Sequence, residues 1–224
     1  MSNILFTIVT AISFSTCSAN TSNLESTPKE IKKEYTQKAD LAGQRSSVFA
    51  SGCFWCVEAI FESVEGVSEA VSGYAGGKSS TANYSDVSGG RTLHAEAVEV
   101  FYDPEVVSYE TLLEVFFGSH DPTTLNQQGP DRGTQYRSTI FYKNEEEKLA
   151  AEAYIAKLTA ENAFDGNITT TLEPLEKFYD AEDYHQDYEA RNPNQPYVRG
   201  VSIPRLNRFK SKFPHLLKKG KSLH

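Results

Sequence analysis

The sequence predicts an α+β fold: a ferredoxin-like two-layer sandwich with additional helices, in a single domain. Strand and helix patterns follow one another in the order β-α-β-β-α-β, which is the order of that fold. The 224 residues, of which 39% are hydrophobic and 12% aromatic, are enough to bury one core. The chain shows no internal repeat, so we expect one domain and not two.

The first half of the chain supplies a strand, a helix and two further strands. Residues 47–51 are a short apolar run that Gly52 ends, as in a buried strand. Residues 54–64 place Val, Ile and Phe at helical spacing. Residues 67–74 form a second apolar run. Residues 95–102 alternate apolar and polar side chains and predict a half-buried strand.

The second half supplies two capped helices and the remaining strands. Ser108 and Asn144 are predicted N-caps of helices that end near residues 118 and 162. Residues 137–143, between these helices, predict a strand. Residues 168–172 then predict a strand and residues 176–190 a final helix.

The first 19 residues have the composition of a signal or lipoprotein-type segment. Residues 4–14 are largely apolar but too short to span a bilayer, and small residues follow them. Two outcomes stay open: cleavage after Ala19, which removes Cys17, or lipidation of Cys17 as a membrane anchor. Both predict an exported protein, periplasmic or membrane-anchored, and an uncleaved cytoplasmic N-terminus is the alternative.

Composition also sets the predicted boundaries of the domain. Residues 20–45 are polar and predict a linker, which leaves residues 46–198 for the folded domain. Residues 199–224 form a basic C-terminal tail, since the chain from Tyr197 onward has eight Lys or Arg and no Asp or Glu. We interpret this tail as solvated.

The overall charge argues against a nucleic-acid partner. The chain has 22 Lys and Arg against 30 Asp and Glu, a formal net charge of −8. A nucleic-acid-binding protein would present a basic face over its body. We expect a monomer.

Two of the three cysteines, Cys53 and Cys56, form a C-x-x-C pair between a predicted strand and the first turn of a helix. Three cysteines are too few for a disulfide scaffold and one short of a four-cysteine zinc site. A helix N-terminus favours an anion, so we expect Cys53 to be a stabilised thiolate and a nucleophile. Cys56 follows on the same helical face, within disulfide reach. A structural disulfide is the alternative, but so small a loop would stabilise the fold by only roughly 2 kcal/mol.

The segment Gly52-Cys53-Phe54-Trp55-Cys56 resembles the active-site signature of the A-class peptide methionine sulfoxide reductases. Further segments match that family in the same order, so that the resemblance covers roughly residues 46–198. They are residues 57–61, 72–77, 83–84, 94–98, 120–122, 131–138 and 181–186. The resemblance implies an enzyme that reduces methionine S-sulfoxide, in proteins and as the free amino acid, and so repairs proteins after oxidative stress.

The resemblance also implies roles for individual residues in catalysis. Cys53 matches the family's nucleophile, which attacks the sulfoxide sulfur and becomes a sulfenic acid. Glu96 matches the acid that protonates the sulfoxide oxygen, a role suited to a partly buried carboxyl group. Tyr84 and Tyr136 match tyrosines that hydrogen-bond the same oxygen. Without the family, a solvent-facing Glu96 and packing roles for the two tyrosines are the ordinary interpretations.

Three further residues match the family's substrate site. Phe54 and Trp55 match the apolar wall for the S-methyl group, where aromatic faces contact a thioether favourably; ordinary core packing is the alternative. We expect Asp131 to orient the tyrosines or waters. No bound cofactor and no metal are implied, and we interpret His94, His120 and His185 as structural histidines because their spacing fits no zinc pattern.

One departure from the family concerns the second thiol. Many members have Gly where this chain has Cys56 and carry recycling cysteines in the C-terminal tail, whereas residues 192–198 here contain none. We therefore expect Cys56 to attack the Cys53 sulfenic acid and close a disulfide. Thioredoxin or an equivalent dithiol would then reduce it, and Cys17 is a remote alternative.

Two other function classes remain as alternatives. A general thiol–disulfide oxidoreductase would need only the C-x-x-C pair, and would leave Glu96, Tyr84 and Tyr136 without a task. A cell-surface binding module would use the disulfide as structure and the basic tail for contacts.

Overall fold

The computed structural model describes residues 43–219, together with Met1 and Leu41. Apart from Met1, these residues belong to one compact unit, residues 36–224. The predicted targeting segment with Cys17 and almost all of the predicted linker lie outside the described residues. No helix in the described part of the chain combines the length and apolar character needed to cross a membrane.

The regular elements of this unit are eight strands and six α-helices in the described part of the chain. In chain order they are β1 (Arg45–Ser51), α1 (Phe54–Glu62), β2 (Val67–Ala75), α2 (Tyr84–Ser88), β3 (Ala95–Tyr102), α3 (Tyr109–Ser119), β4 (Gln127–Gln128), β5 (Asp131–Arg132), β6 (Ser138–Tyr142), α4 (Glu145–Ala160), β7 (Thr171–Pro174), β8 (Phe178–Asp180), α5 (Tyr188–Arg191) and α6 (Ile203–Lys212).

The main sheet has the strand order β7-β6-β1-β3-β2-β8. Its four central strands, β6-β1-β3-β2, pair antiparallel throughout, and with α1 and α3 they reproduce the β-α-β-β-α-β unit. This confirms the predicted ferredoxin-like α+β sandwich. The additions are β7, parallel to β6 at one edge, and β8, antiparallel to β2 at the other.

The two faces of the sheet carry cores of different size. On one face, Phe49, Val98 and Ile140 pack with the apolar sides of α1, α3 and α6. On the other face, small residues such as Ala50 and Ala97 form a thinner cluster. Because neighbouring residues of a strand point to opposite faces, the apolar runs read from the sequence are strands buried on both sides.

The predicted helix caps are present. The Ser108 hydroxyl accepts a hydrogen bond from the Thr111 N–H at 3.1 Å, and the Asn144 side chain accepts one from the Glu147 N–H at 2.9 Å. Each bond satisfies an N–H group that the first helical turn leaves without a partner. The strand expected over 168–172 is displaced to Thr171–Pro174.

The prediction of a single helix over residues 176–190 is wrong. The first part of this segment is β8, which pairs with β2 across Gly73 and Asp180. A side chain at position 73 would come within 2.3 Å of the Phe178 ring, so the glycine is what allows the edge strand to approach. A 3₁₀ turn and the four-residue α5 follow, and Asp187 between them has a positive φ of 53°.

The segment interpreted as a solvated basic tail is folded as far as the described residues extend, and the predicted domain boundary at 198 is not a boundary in the structure. A π-helical turn, Val198–Ser202, leads directly into α6. Leu206 and Phe209 are buried in the main core, and α6 contacts α1 and α3. The number of basic residues favoured a solvated tail, but it does not exclude a packed helix. Helix α6 exposes Arg208 and Lys212 while it buries its apolar side.

Candidate active site

Cys53 occupies the N-cap position of α1, and Gly52 alone separates it from the end of β1. Gly52 makes this turn possible: its φ is +97°, and a side chain there would lie 2.7 Å from Gln128 Cβ. The Cys53 carbonyl accepts hydrogen bonds from the N–H groups of Cys56, at 3.1 Å, and Val57, at 3.4 Å. Cys53 and Cys56 are free thiols, 6% and 1% exposed.

The two neighbouring thiols shift each other's pKa in opposite directions, and the anion is favoured on Cys56 over Cys53. Burial raises the pKa of Cys53 well above its ordinary value, and the hydrogen bond to Cys56 and the nearby Glu96 raise it further. The backbone N–H of Trp55 lowers it, but by less. The hydrogen bond from Cys53 is the largest of the causes that lower the pKa of Cys56 to about 7. The expectation of a resting Cys53 thiolate is therefore wrong, because burial outweighs the helix N-terminus.

Glu96 lies beside the start of α1 and does not face solvent. It is 2% exposed, and its Oε2 accepts a hydrogen bond from the Phe54 N–H at 3.1 Å. Burial raises the pKa of Glu96 to about 8, although the Phe54 N–H acts in the opposite direction. At neutral pH the group is mostly a carboxylic acid, and it can therefore give a proton.

Tyr84 and Tyr136 are half-buried and belong to the same neighbourhood. Burial raises the pKa of Tyr84 to about 12, with Glu96 and Cys53 as the next causes. The pKa of Tyr136 is also raised by burial, then by Glu96 and Cys53. Both phenols keep their protons at neutral pH and can donate to an oxygen placed between them and Glu96.

Trp55 forms a half-buried aromatic wall with residues that the sequence did not single out for it. Its ring stacks on Tyr188 with centroids 3.8 Å apart, and the Tyr197 ring meets it edge-on at 5.9 Å. The Trp55 indole N–H donates to His185 Nδ1 at 3.0 Å, which fixes the plane of the indole. Phe54, in contrast, is 1% exposed and packs within the core, so it supports this wall from behind.

Asp131 forms its side-chain hydrogen bond with Tyr197, next to the second thiol, and not with either of the two predicted tyrosines. Its Oδ2 accepts a hydrogen bond from the Tyr197 hydroxyl at 2.5 Å, and that hydroxyl lies 4.0 Å from Cys56 Sγ. Asp131 also influences the pKa of Tyr136 through its charge. Tyr197 was missed because the sequence offers it as one of twelve tyrosines in a segment noted only for lacking cysteines.

The three histidines interpreted as structural have protein partners. His94 Nε2 lies 3.0 Å from the Lys78 carbonyl. His120 contacts the Phe116 carbonyl at 2.7 Å and the Ser138 hydroxyl at 2.8 Å, and burial lowers its pKa to about 3. His185 differs from the other two, since through Trp55 it belongs to the site.

Comparison with known proteins gives consistent matches. The sequence profile of the family described as peptide methionine sulfoxide reductase matches residues 45–217. A peptide methionine sulfoxide reductase of Synechocystis sp. is 50% identical over 177 residues, which is 79% of this chain and 83% of the relative. One from Chromobacterium violaceum is 48% identical over 76% of this chain and 97% of the relative.

Solved structures agree with the sequence comparison. Reduced Mxr1 of Saccharomyces cerevisiae superimposes with a TM-score of 0.63 at 34% identity, over 72% of this chain and 90% of that one. Methionine sulfoxide reductase A of Corynebacterium diphtheriae does so with a TM-score of 0.60 at 36% identity, over 68% and 76%. The profile match reaches residue 217, so the similarity includes α6 as well as the sheet.

Proposed function

This chain belongs to the peptide methionine sulfoxide reductase family, and on that premise we propose that it reduces methionine S-sulfoxide with Cys53 as nucleophile and Cys56 as resolving thiol. The observation that carries the proposal is the placement of a buried thiol beside a buried carboxylic acid, Glu96, with Tyr84 and Tyr136 next to both. A general disulfide oxidoreductase would need no such acid.

In the first step, one oxygen atom moves from the methionine sulfur to Cys53. Cys53 Sγ forms a bond to the sulfoxide sulfur while Glu96 protonates the sulfoxide oxygen. The hydroxyl group then moves from the methionine sulfur to Cys53 Sγ, as the S–O bond of the substrate and the new S–S bond both break. The thiol proton of Cys53 passes to Cys56, which already accepts its hydrogen bond, and is returned to Glu96 or solvent. The products are a methionine thioether and a Cys53 sulfenic acid. Tyr84 and Tyr136 stabilise the charge that builds on the oxygen.

In the second step, Cys56 closes a disulfide. Its thiolate attacks the sulfenic sulfur, a Cys53–Cys56 bond forms, and the hydroxide that leaves takes a proton and becomes water. A dithiol such as thioredoxin then reduces the disulfide and is itself oxidised. The two residues are one helical turn apart at the start of α1, and each acts on the pKa of the other, so the two sulfurs are neighbours before reaction.

The site also supports a preference for one epimer of the substrate. A chiral sulfur must direct its oxygen to Glu96 and its methyl group to Trp55 while Cys53 approaches opposite the oxygen. Only one arrangement around sulfur satisfies all three, and separate enzymes exist for each epimer. We propose the S form, in oxidised proteins and as the free amino acid.

Replacing the two cysteines separately tests this function. Cys53→Ser should form no methionine even in a single turnover, because a hydroxyl is a far weaker nucleophile. Cys56→Ser should still form one methionine per enzyme in a burst, and then fail to turn over with thioredoxin. Excess small thiol should partly restore its turnover by attacking the sulfenic acid.

The readouts are methionine measured by chromatography from each epimer of a sulfoxide peptide, and the mass of the enzyme after one turnover. The wild type should lose two hydrogens and show a Cys53–Cys56 linkage. Methionine formation by Cys53→Ser would exclude Cys53 as the nucleophile. Thioredoxin-driven turnover of Cys56→Ser at the wild-type rate would exclude Cys56 as the resolving thiol.

A further inference from the structure

The surroundings of Cys56 are supplied by the C-terminal segment, residues 197–205. The Tyr197 hydroxyl lies 4.0 Å from Cys56 Sγ, Ser202 is within hydrogen-bond reach of the thiol, and Arg205 acts on it through its charge. The π-helical turn between Tyr197 and α6 brings all three to one place. Turns of this kind are frequent at functional sites.

Arg205 is a buried cation held in a fixed position. Arg205 is only 6% exposed. The guanidinium donates through Nε to the Ser119 carbonyl at 2.8 Å and through one Nη to the Ser51 hydroxyl at 3.3 Å. These contacts tie it to the end of α3 and to the last residue of β1. Gly52, next to Cys53, lies beside its other Nη.

This cation forms no ion pair with a carboxylate among the described residues. Glu189 and Asp131 feel its charge at longer range, and each accepts a hydrogen bond from a hydroxyl, of Ser202 and of Tyr197. A buried charge without a counter-ion in contact is costly. The same charge acts on Cys56, so a thiolate there is favoured by it.

We propose that Arg205 is a positioning residue that holds Cys56 as a thiolate, so that Cys56 is the sulfur that leaves when the disulfide opens and the external dithiol attacks Cys53. This inference rests on the proposed function, in which Cys56 closes a disulfide with Cys53. The C-terminal segment then serves the same reaction step as the recycling cysteines of other family members, without supplying a thiol.

The titration of the pair agrees with this assignment. The pKa of Cys56 is lowered to about 7, first by the hydrogen bond from Cys53 and then, against burial, by Arg205, Ser202 and Tyr197. The pKa of Cys53 is raised. The ionisable and polar groups that interact with the pair from the surrounding elements are Glu96, Tyr84, Tyr136, Tyr197, Ser202 and Arg205. Asp131 and Glu189 are the hydrogen-bond partners of Tyr197 and Ser202.

The leaving sulfur determines which sulfur is attacked. Thiol–disulfide exchange is faster when the departing thiol has the lower pKa. The incoming thiolate forms a bond to Cys53 Sγ, the Cys53–Cys56 bond breaks, and the electron pair stays on Cys56 beside Arg205. The second thiol of the reductant then displaces Cys53, which takes up a proton. In the reduced structure Cys53 is also the less buried of the two, 6% against 1% exposed.

The charge of Arg205 can be tested by titrating Cys56 in a Cys53→Ser background, where serine keeps a hydroxyl donor beside it. Arg205→Gln keeps an N–H donor for Ser119 and removes the charge, and Arg205→Lys keeps the charge. Arg208→Gln is the matched control, because Arg208 is exposed on the same helix and lines the same cavity of about 340 Å³. The readout is the ultraviolet absorbance of the thiolate against pH.

We expect Arg205→Gln to raise the pKa of Cys56 by one unit or more, which cuts its thiolate fraction at pH 7 about fivefold. Arg205→Lys should restore most of the shift, and Arg208→Gln should cause none. Circular dichroism checks that each variant is folded. An unchanged titration in folded Arg205→Gln, or an equal shift in Arg208→Gln, would overturn the assignment. If Arg205→Gln does not fold, trapping with wild-type enzyme decides the direction of attack, and thioredoxin attached to Cys56 would overturn the proposal.

The direction of attack is tested by trapping. Oxidised wild-type enzyme is mixed with a thioredoxin whose second active-site cysteine is replaced by serine, and the mixed disulfide is located by peptide mass spectrometry. We expect thioredoxin on Cys53, and attachment to Cys56 contradicts the proposal. A contradicted direction of attack is distinguishable from a contradicted function. If the proposed function were wrong, Cys56→Ser would turn over with thioredoxin at the wild-type rate.

Discussion

At the scale of single residues, the sequence singled out the candidate reactive groups but did not predict the direction in which their pKa values are shifted. The C-x-x-C motif pointed to Cys53 and Cys56, and the family resemblance pointed to Glu96. The charge state of each depends on burial and on contacts across the fold. Burial raises the pKa of Cys53. Arg205 helps to lower the pKa of Cys56, although it lies 149 positions after Cys56 in the chain. No local pattern contains such a contact.

The pKa of Glu96 leads to a prediction about pH. With a pKa of about 8, Glu96 is mostly protonated at pH 7, and above pH 8 each unit removes about tenfold of the acid form. The single-turnover rate of methionine formation should therefore fall as pH rises through 8. Glu96→Gln should be slower by ~10²- to 10⁴-fold and should lack this alkaline limb.

The measurement is rapid-quench formation of methionine across the pH range, without external reductant, so that recycling does not contribute. Tyr142→Phe is a suitable control, since this tyrosine lies on β6 and has no role in the proposed site. An alkaline limb that persists in Glu96→Gln would assign it to another group, such as the Cys53–Cys56 pair.

At the scale of elements, the secondary-structure predictions succeeded where the pattern was local. They failed where the structure of a segment depends on its contacts with a distant part of the chain. The bounds of strand β3 and the Ser108 and Asn144 caps are as predicted, because these patterns involve only neighbouring residues, although the first half of β3 is buried on both faces and not half-buried. The helix expected over 176–190 is instead an edge strand and turns, because Gly73 on β2 leaves room for Phe178. A partner 105 positions away in the chain cannot be read from the segment itself.

The packing of helix α6 against the core was likewise not predictable from its own segment, and measurements of unfolding free energy can test it. Phe209 is 1% exposed and its ring centroid lies 5.3 Å from that of Phe213. Phe209→Ala should lower the free energy of unfolding by about 3–5 kcal/mol, through lost burial and a residual cavity. The neighbouring exposed Arg208→Ala should change it by about 0.5 kcal/mol or less. Urea unfolding followed by tryptophan fluorescence measures both, and equal small effects would place α6 outside the cooperative unit.

At the scale of the whole molecule, the sequence indicated the fold and the reaction but ended the domain too early. The strand and helix order predicted the ferredoxin-like unit, which the strand pairing confirms. The basic composition after Tyr197 concealed a segment that completes the core and lines the active site. Export of the protein, and the fate of Cys17, stay predictions, since those residues lie outside the described part of the chain.

Ending the chain after Val198 tests whether the last 26 residues are part of the domain. The truncation removes Leu206 and Phe209 from the core and the bridge between Val64 and Leu217. Burying such side chains stabilises a fold by about 1.5–3 kcal/mol each, and a domain as a whole is stable by only about 5–15 kcal/mol. We therefore expect the truncated protein to unfold at a much lower urea concentration, or to lack a cooperative transition.

The truncated protein should also fail in recycling, because Ser202 and Arg205 are lost from beside Cys56. Adding methionine sulfoxide peptide at low temperature, where any folded fraction is greatest, separates this loss from unfolding. A folded fraction should then give at most a burst of methionine and little turnover with thioredoxin. Wild-type stability together with wild-type turnover would mean that residues 199–224 are a solvated tail after all, and that the groups around Cys56 do not depend on α6.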